Sequence, residues 1–344
     1  MNAFRRCQAS MVAILTLVGV TASVRRSAPA NKESAGTIVY EHAPEGRAPW
    51  PILDIYSVDA NGKNVRALTN DGHSHTPSWS PDGGRILFIH DANLQAKPPY
   101  DEHGHESNHP VELYVMDRDG SNPHLLRRLE PVIFSAAWSP DGRTLAVTYL
   151  PEEWTKLSTT PREPIAPGLF LLPADGKGEP RLLFRDAFTP AWSPDGRKLA
   201  FSARLPGSRW AVHVANSDGS KEVQLTDPSL DAGSPAWSPD GKRIAFAAFT
   251  GQRRQQEIFV MDENGSGSRQ LTTDPNWECE HPSWSPDGKQ IAFFCRSASA
   301  PCGGWGRSRG CIRRIFVISP QDPQPKPTQV TEHDGAFPAF APMQ

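Results

Sequence analysis

Little in this 344-residue sequence is present in excess. Charge is balanced, with 36 Lys and Arg against 38 Asp and Glu for a net of -2. No general attraction to nucleic acid or to an anionic membrane surface is therefore expected. Cysteine is scarce, at five residues, and no two stand at the C-x-x-C spacing that structural zinc sites favour. Long apolar runs are missing too. The one candidate, from Met11 to Val20, is too short to cross a bilayer comfortably. What remains is an ordinary globular composition, 38% hydrophobic and 22% charged, enough for one large domain or two smaller ones. Pro (34) and Gly (27) are plentiful and fall between short β-rich runs, which suits an all-β fold with many turns.

The N-terminus reads separately. Arg5 and Arg6 precede the apolar run, and the small residues Thr21, Ala22 and Ser23 follow it. That order predicts a Sec-type leader over residues 1–30, cleaved near 22 or 30, and a linker over 31–35. An uncleaved N-terminal anchor is the alternative; cleavage would leave no stable membrane span. Cys7 lies before the apolar run, which argues against a lipidated cysteine at the cleavage site. Export implies a periplasmic or secreted protein in which Cys279, Cys295, Cys302 and Cys311 form two disulfides. Pairing of Cys279 with Cys295 would leave Cys302 with Cys311; pairing of Cys295 with Cys311 competes.

The repeated word Trp-Ser-Pro-Asp-Gly begins at Trp79, Trp138, Trp192, Trp237 and Trp284, at intervals of 59, 54, 45 and 47 residues. Such a period marks a repeat architecture. Ser-Pro-Asp-Gly between two apolar runs is a hairpin connection, with Pro fixing the first turn position and Gly accepting the left-handed one. Strands A and B flank it, and a third strand C ends in an Asp-Gly or Asn-Gly turn before a short strand D. Four antiparallel strands per repeat make a propeller blade. Thr37–Tyr40, Asp54–Val58 and Val65–Thr69 read as B, C and D strands without an A strand. Pro338-Ala339-Phe340-Ala341-Pro342 is a worn copy of Pro-Ala-Trp-Ser-Pro, and so an orphan A strand. The reading is an all-β fold: a six-bladed β-propeller of four-stranded antiparallel blades over 36–344, closed by C-terminal strand A joining N-terminal strands B, C and D.

This repeat resembles the TolB-type (WD40-like, PD40) β-propeller repeat, over nearly all of residues 37–342. TolB proper also carries an N-terminal α/β domain, for which the reading leaves no residues. Related propellers cap prolyl-oligopeptidase-type enzymes, whose α/β-hydrolase domain likewise finds no room.

Function is expected on the irregular face formed by the B–C and D–A connections. The repeated aspartates Asp82, Asp141, Asp195, Asp240 and Asp287 read as turn formers, and the motif tryptophans as packing between blades. The long B–C connections are predicted to form a rim bearing Trp50, Trp154 and Trp305. His103, His105 and His109 lie in the first of them, among carboxylates that leave a divalent metal open. His73, His75, His281 and His333 are placed in D–A connections leading to the channel mouth. Two functions compete. One is an exported module binding an envelope or secreted protein or peptide, monomeric and needing no cofactor. The other is a metal-assisted lyase or hydrolase, acting on polysaccharide, that uses the channel histidines; on this sequence the enzyme question stays open.

Overall fold

The computed structural model describes residues 36–43, 53–91, 111–129, 131–151, 167–207, 209–250, 255–298 and 313–343. Thr37–His42 (β1), Asp54–Asp59 (β2) and Arg66–Ala67 (β3) come first. Blade one follows as β4 (Ser74–Trp79), β5 (Arg85–Asp91), β6 (Val111–Asp117) and β7 (His124–Leu129). Blade two is β8 (Pro131–Trp138), β9 (Thr144–Pro151), β10 (Gly168–Pro173) and β11 (Arg181–Phe184). Blade three is β12 (Ala187–Trp192), β13 (Lys198–Leu205), β14 (Arg209–Asn216) and β15 (Val223–Gln224). Blade four is β16 (Gly233–Trp237), β17 (Arg243–Thr250), β18 (Gln255–Asp262) and β19 (Arg269–Gln270). Blade five is β20 (Trp277–Trp284), β21 (Ile291–Ser297), β22 (Arg313–Ile318) and β23 (Thr328–Gln329), and Ala336–Phe340 (β24) ends the series. Each blade is one four-stranded sheet, and the sixth has the order β24-β1-β2-β3. That composite sheet pairs Ile38 with Phe340 and Val39 with Ala339, as the worn motif copy predicts.

The core is a ring of six layers, each shared by neighbouring blades. One of them packs Leu87, Leu113 and Leu129 of blade one against Trp138, Leu145 and Val147 of blade two. Strand B is apolar on both faces because it is covered on both: Ile86, Leu87, Phe88 and Ile89 are all buried.

The repeated word explains itself atom by atom. Ser80 Oγ donates to Asp82 Oδ1 at 2.6 Å, and Asp82 Oδ1 also accepts the Gly84 N–H at 3.0 Å. The Arg85 N–H donates to Ser80 Oγ at 2.9 Å, and Gly83 takes the left-handed turn position with φ 64°. The same Ser–Asp bond recurs in the other four copies. The hydrogen bond from Ser80 holds the Asp82 carboxyl below its ordinary pKa range, so this aspartate stays ionised as a turn acceptor. The tryptophans join blades. The indole N–H groups of Trp79, Trp192 and Trp284 donate to Ala339, Ala137 and Ala236 on the preceding blade's strand A. The Leu-Thr that closes three of the repeats has a reason as well: Thr69, Thr226 and Thr272 hydroxyls accept strand C N–H groups of Ile55, Val212 and Ile258.

Where the chain ends meet, a buried ion cluster adds to the ladder. Arg313 on β22 donates from Nη1 to Glu41 Oε1 on β1 at 2.8 Å. Its Nε and Nη2 reach Asp334 Oδ1 and Oδ2 at 3.0 and 2.5 Å. Arg313 and Glu41 side chains are 3% and 0% exposed, so this fork is almost entirely out of water. Burial works against the guanidinium's charge, but the Asp334 and Glu41 carboxylates outweigh it and hold its pKa above the ordinary range.

Candidate functional site at the channel mouth

Strand A is the innermost strand of every blade, so its N-terminal half lines the channel. Two residues before the motif Trp stands a proline in four of the five full copies and in the worn one: Pro77, Pro190, Pro235, Pro282 and Pro338. Proline has no N–H to give the ladder and is tolerated in sheets at bulges. The register slips there: His75 pairs with Ile89, but Ser78 already pairs with Leu87. The same one-residue slip recurs in the other four proline-bearing strands.

The residue before each proline is driven into the left-handed region: Thr76 (φ 52°), Thr189 (47°), Ser234 (51°), His281 (54°) and Phe337 (50°). None is glycine, and such a conformation costs about 1–2 kcal/mol per residue. Blade two, with Ala136 in place of proline, carries its bulge at Phe134 instead. Bulges re-aim side chains, and here they turn a ring of them into the channel.

These strands enclose a cavity of about 280 Å³. Its walls are unequal. Phe134 of blade two and Phe188 of blade three meet edge to face at 4.8 Å. His281 of blade five and Phe337 of blade six lie 4.3 Å apart, with Phe294 stacked behind the imidazole at 13°. In a ring of six, blades two and three stand opposite five and six, so two aromatic walls face each other. Blade one, between them, presents His75, whose Nε2 lies 3.5 Å from Asp91 Oδ1 and whose Nδ1 lies 3.0 Å from Thr76 Oγ1. Blade four supplies Ser234 on the far side. Burial pushes His281 down to about 4, so near neutral pH it is an uncharged aromatic surface rather than a cation.

The four histidines expected in D–A connections divide. His75 and His281 belong to β4 and β20 themselves and line the cavity. The bulge lets the ladder continue past the proline, so strand A begins several residues before it and takes in both histidines. His73 lies instead beside His90, ring centres 6.1 Å apart, with Asp71 3.5 Å from His90 Nε2. His333 is exposed, 6.5 Å from the ring of His42. The four therefore do not share one site. Trp50, Trp154, Trp305, His103, His105, His109, Cys302 and Cys311 lie outside the described residues. Among the described residues, no group of three or more His, Cys, Asp or Glu side chains is arranged to hold a metal ion, and no helix is long and apolar enough to cross a membrane.

Several participants escaped sequence reading. Phe134, Phe188, Phe337 and Asp91 carry no motif of their own; the x-Pro step before each Trp was the available signal. A string spelling Gly-x-Ser-x-Gly also occurs, Gly306-Arg307-Ser308-Arg309-Gly310. It falls between β21 and β22, outside the described residues. Cys279 and Cys295 stand directly opposite each other in β20 and β21, with their sulfurs 2.18 Å apart.

The model of the PD40 family, TolB beta propeller domain, matches residues 174–302. The chain carries the TolB-type propeller repeat. A Tol-Pal system protein TolB from Anaeromyxobacter dehalogenans is 37% identical over 125 residues, covering 35% of this chain and 25% of that protein. An uncharacterized peptidase, YuxL, of Bacillus subtilis is 25% identical over 193 residues, 48% of this chain and 25% of the relative. Each match thus spans a quarter of the curated relative's length. The crystal structure of TolB from Acinetobacter baumannii superposes with a TM-score of 0.68 at 16% identity, over 90% of this chain and 67% of that one. At that identity the likeness concerns the TolB-type fold.

Proposed function

We propose that this TolB-type propeller is an exported binding module that takes a segment of an envelope or secreted protein into its channel mouth. The observation that carries the reading is the ring of left-handed, non-glycine residues. A conformation costing about 1–2 kcal/mol is repeated in five blades, and the structure around a strained site must over-determine it. The strained side chains border an aromatic cavity, the usual character of a ligand site. Relatives named as Tol-Pal system proteins add weight to an envelope partner and to a periplasmic or secreted location.

Site-directed photo-crosslinking in cells tests this. A photoreactive residue replacing Ser234 at the mouth is expected to give a discrete protein adduct. The same residue replacing Lys242 on the turn face is expected to give none. The adduct should disappear when Phe188 and Phe337 are both changed to Ala in a protein whose circular dichroism is unchanged. Equal adducts from both faces, or one indifferent to the aromatic walls, would remove this reading.

The exported location brings a second expectation, a Cys279–Cys295 disulfide. Closing a 16-residue separation restricts the unfolded chain by roughly 3 kcal/mol. Peptide mapping of protein purified without reductant should recover the two cysteines linked, and the double Ser variant should melt earlier. Free thiols at both positions would contradict it.

A further inference from the structure

We infer that His75 and Thr76, on the inner strand of blade one, form an acyl-transfer centre for small uncharged esters. The Thr76 hydroxyl is the nucleophile and His75 its general base. This goes beyond the binding module proposed above and does not depend on it. The two residues are neighbours in β4, and both line the cavity. His75 Nδ1 lies 3.0 Å from Thr76 Oγ1, and its Nε2 lies 3.5 Å from Asp91 Oδ1. A hydroxyl, an imidazole and a carboxylate in that order are the constellation that activates an alcohol, recognised by geometry and roles rather than by fold. Contacts of this kind tighten when a ligand closes the site. Asp91 has a further contact of its own; the role given to it needs only the oxygen that faces Nε2.

Blade three shows what the same position does without an imidazole beside it. Thr189 shares the left-handed conformation of Thr76, φ 47° against 52°, but its hydroxyl bonds with Ser202 Oγ at 2.7 Å. Ser202 stands opposite Phe188, the residue before Thr189. In blade one the matching place, opposite His75, is held by Ile89. An isoleucine side chain has no oxygen to offer, and the Thr76 hydroxyl meets the imidazole instead. The backbone strain is common to five blades; the imidazole and the carboxylate are what blade one adds. Thr76 is half-buried, so a ligand in the cavity reaches it. Val111 of blade one and Ile133 and Phe134 of blade two line the same cavity. At about 280 Å³ and with those apolar walls, it takes a small apolar acyl group.

The carboxylate beside Nε2 favours the tautomer with the proton on that nitrogen, which leaves Nδ1 bare to accept the hydroxyl proton. As Thr76 Oγ1 bonds to the ester carbonyl carbon, its proton passes to Nδ1. The tetrahedral adduct collapses by breaking the bond to the alkoxy oxygen, which leaves as the alcohol with the proton from Nδ1. Water then adds to the acyl-threonine carbonyl and gives one proton to Nδ1. That proton returns to Oγ1 as the acid departs. Ester and water are consumed, acid and alcohol are formed, and no oxidant or reductant is needed. Asp91 touches no reacting atom and is a positioning residue.

Reaction of the full chain with p-nitrophenyl acetate tests this. A burst of p-nitrophenolate followed by slower turnover is expected, the sign of an acyl intermediate. Mass mapping of the acid-quenched protein should find acetyl on Thr76 and not on Thr189. Thr76→Val and His75→Gln should each lower turnover about a hundredfold or more, the scale of a lost nucleophile or general base. Thr76→Ser, which keeps a hydroxyl, should retain it. Asp91→Asn should lower kcat at unchanged KM, a split that a general loss of structure would not give. No acetyl on Thr76, or turnover in Thr76→Val within about threefold of the parent, would overturn the nucleophile. Undiminished turnover in His75→Gln would overturn the base. The mapping uses the parent protein, so it decides the nucleophile even where a variant fails to fold.

Discussion

Arg313→Met is expected to lower the free energy of unfolding by about 3–5 kcal/mol, the range for breaking a buried ion pair from one side. The loss comes less from the missing attraction than from what is left behind. Glu41 is fully buried, and among the described residues its Oε2 has no hydrogen-bond partner. Asp334 accepts three hydrogen bonds from the Arg313 side chain. Without the guanidinium, two carboxylates face each other's field in a site that water barely reaches. Making the neighbours neutral in the same chain, as Glu41→Gln with Asp334→Asn, should therefore restore at least half of the loss. Urea unfolding followed by tryptophan fluorescence, read as midpoint and slope, checks both arms. A single variant within 1 kcal/mol of the parent would show that the cluster contributes little to closing the ring.

Gly120→Ala is expected to cost about 2–4 kcal/mol, combining left-handed strain of about 1–2 with overpacking of about 1–3. Gly120 ends the C–D turn of blade one with φ 87°. A Cβ there would stand 2.7 Å from the Leu68 carbonyl oxygen and 3.1 Å from the Leu68 Cα. Both atoms are backbone of the neighbouring composite blade, so neither can swing aside as a side chain would. Gly207 separates the two contributions. Its φ is 81°, yet a Cβ would meet nothing within 4 Å. Gly207→Ala should therefore lose about 1–2 kcal/mol, the strain alone. Equal losses at the two positions, measured by the same urea series, would mean that close approach between blades is not what selects glycine at Gly120.

The fold was legible because its signal is local and repeated. Ser-Pro-Asp-Gly specifies a hairpin through bonds among its own atoms, so the word carries its structure wherever it falls. Phe340 was readable for the same reason: enough of the word survives around it to place a strand A and close the circle. The site was less legible because its residues are defined by their position in the ring, not by the company they keep in sequence. Phe134 and Phe188 lie 54 residues apart and meet because adjacent inner strands bring them together. The bulge was hidden in plain spelling. Proline before the Trp looks like the edge of a strand, whereas the ladder absorbs it by one extra residue. That shift carried His75 and His281 into strand A, away from the connections that keep His73 and His333. Charge at the site was equally opaque, since Asp91 looks like any strand-ending aspartate until the pairing of β4 with β5 sets it beside His75.

The pairing of β1 with β24 also fixes how the molecule can be held. Thr37 begins β1 where Phe340 ends β24, and the Ala341 N–H donates to the Thr37 carbonyl at 2.8 Å. Both described ends therefore leave on the side of the Ser-Pro-Asp-Gly turns, away from the channel mouth. A surface, bead or fusion partner attached through the C-terminal end would leave the mouth facing outward, open to whatever diffuses past. Tension applied between the two ends would load that junction like a zipper, parting its bonds one after another, so the circle should open there before any blade comes apart.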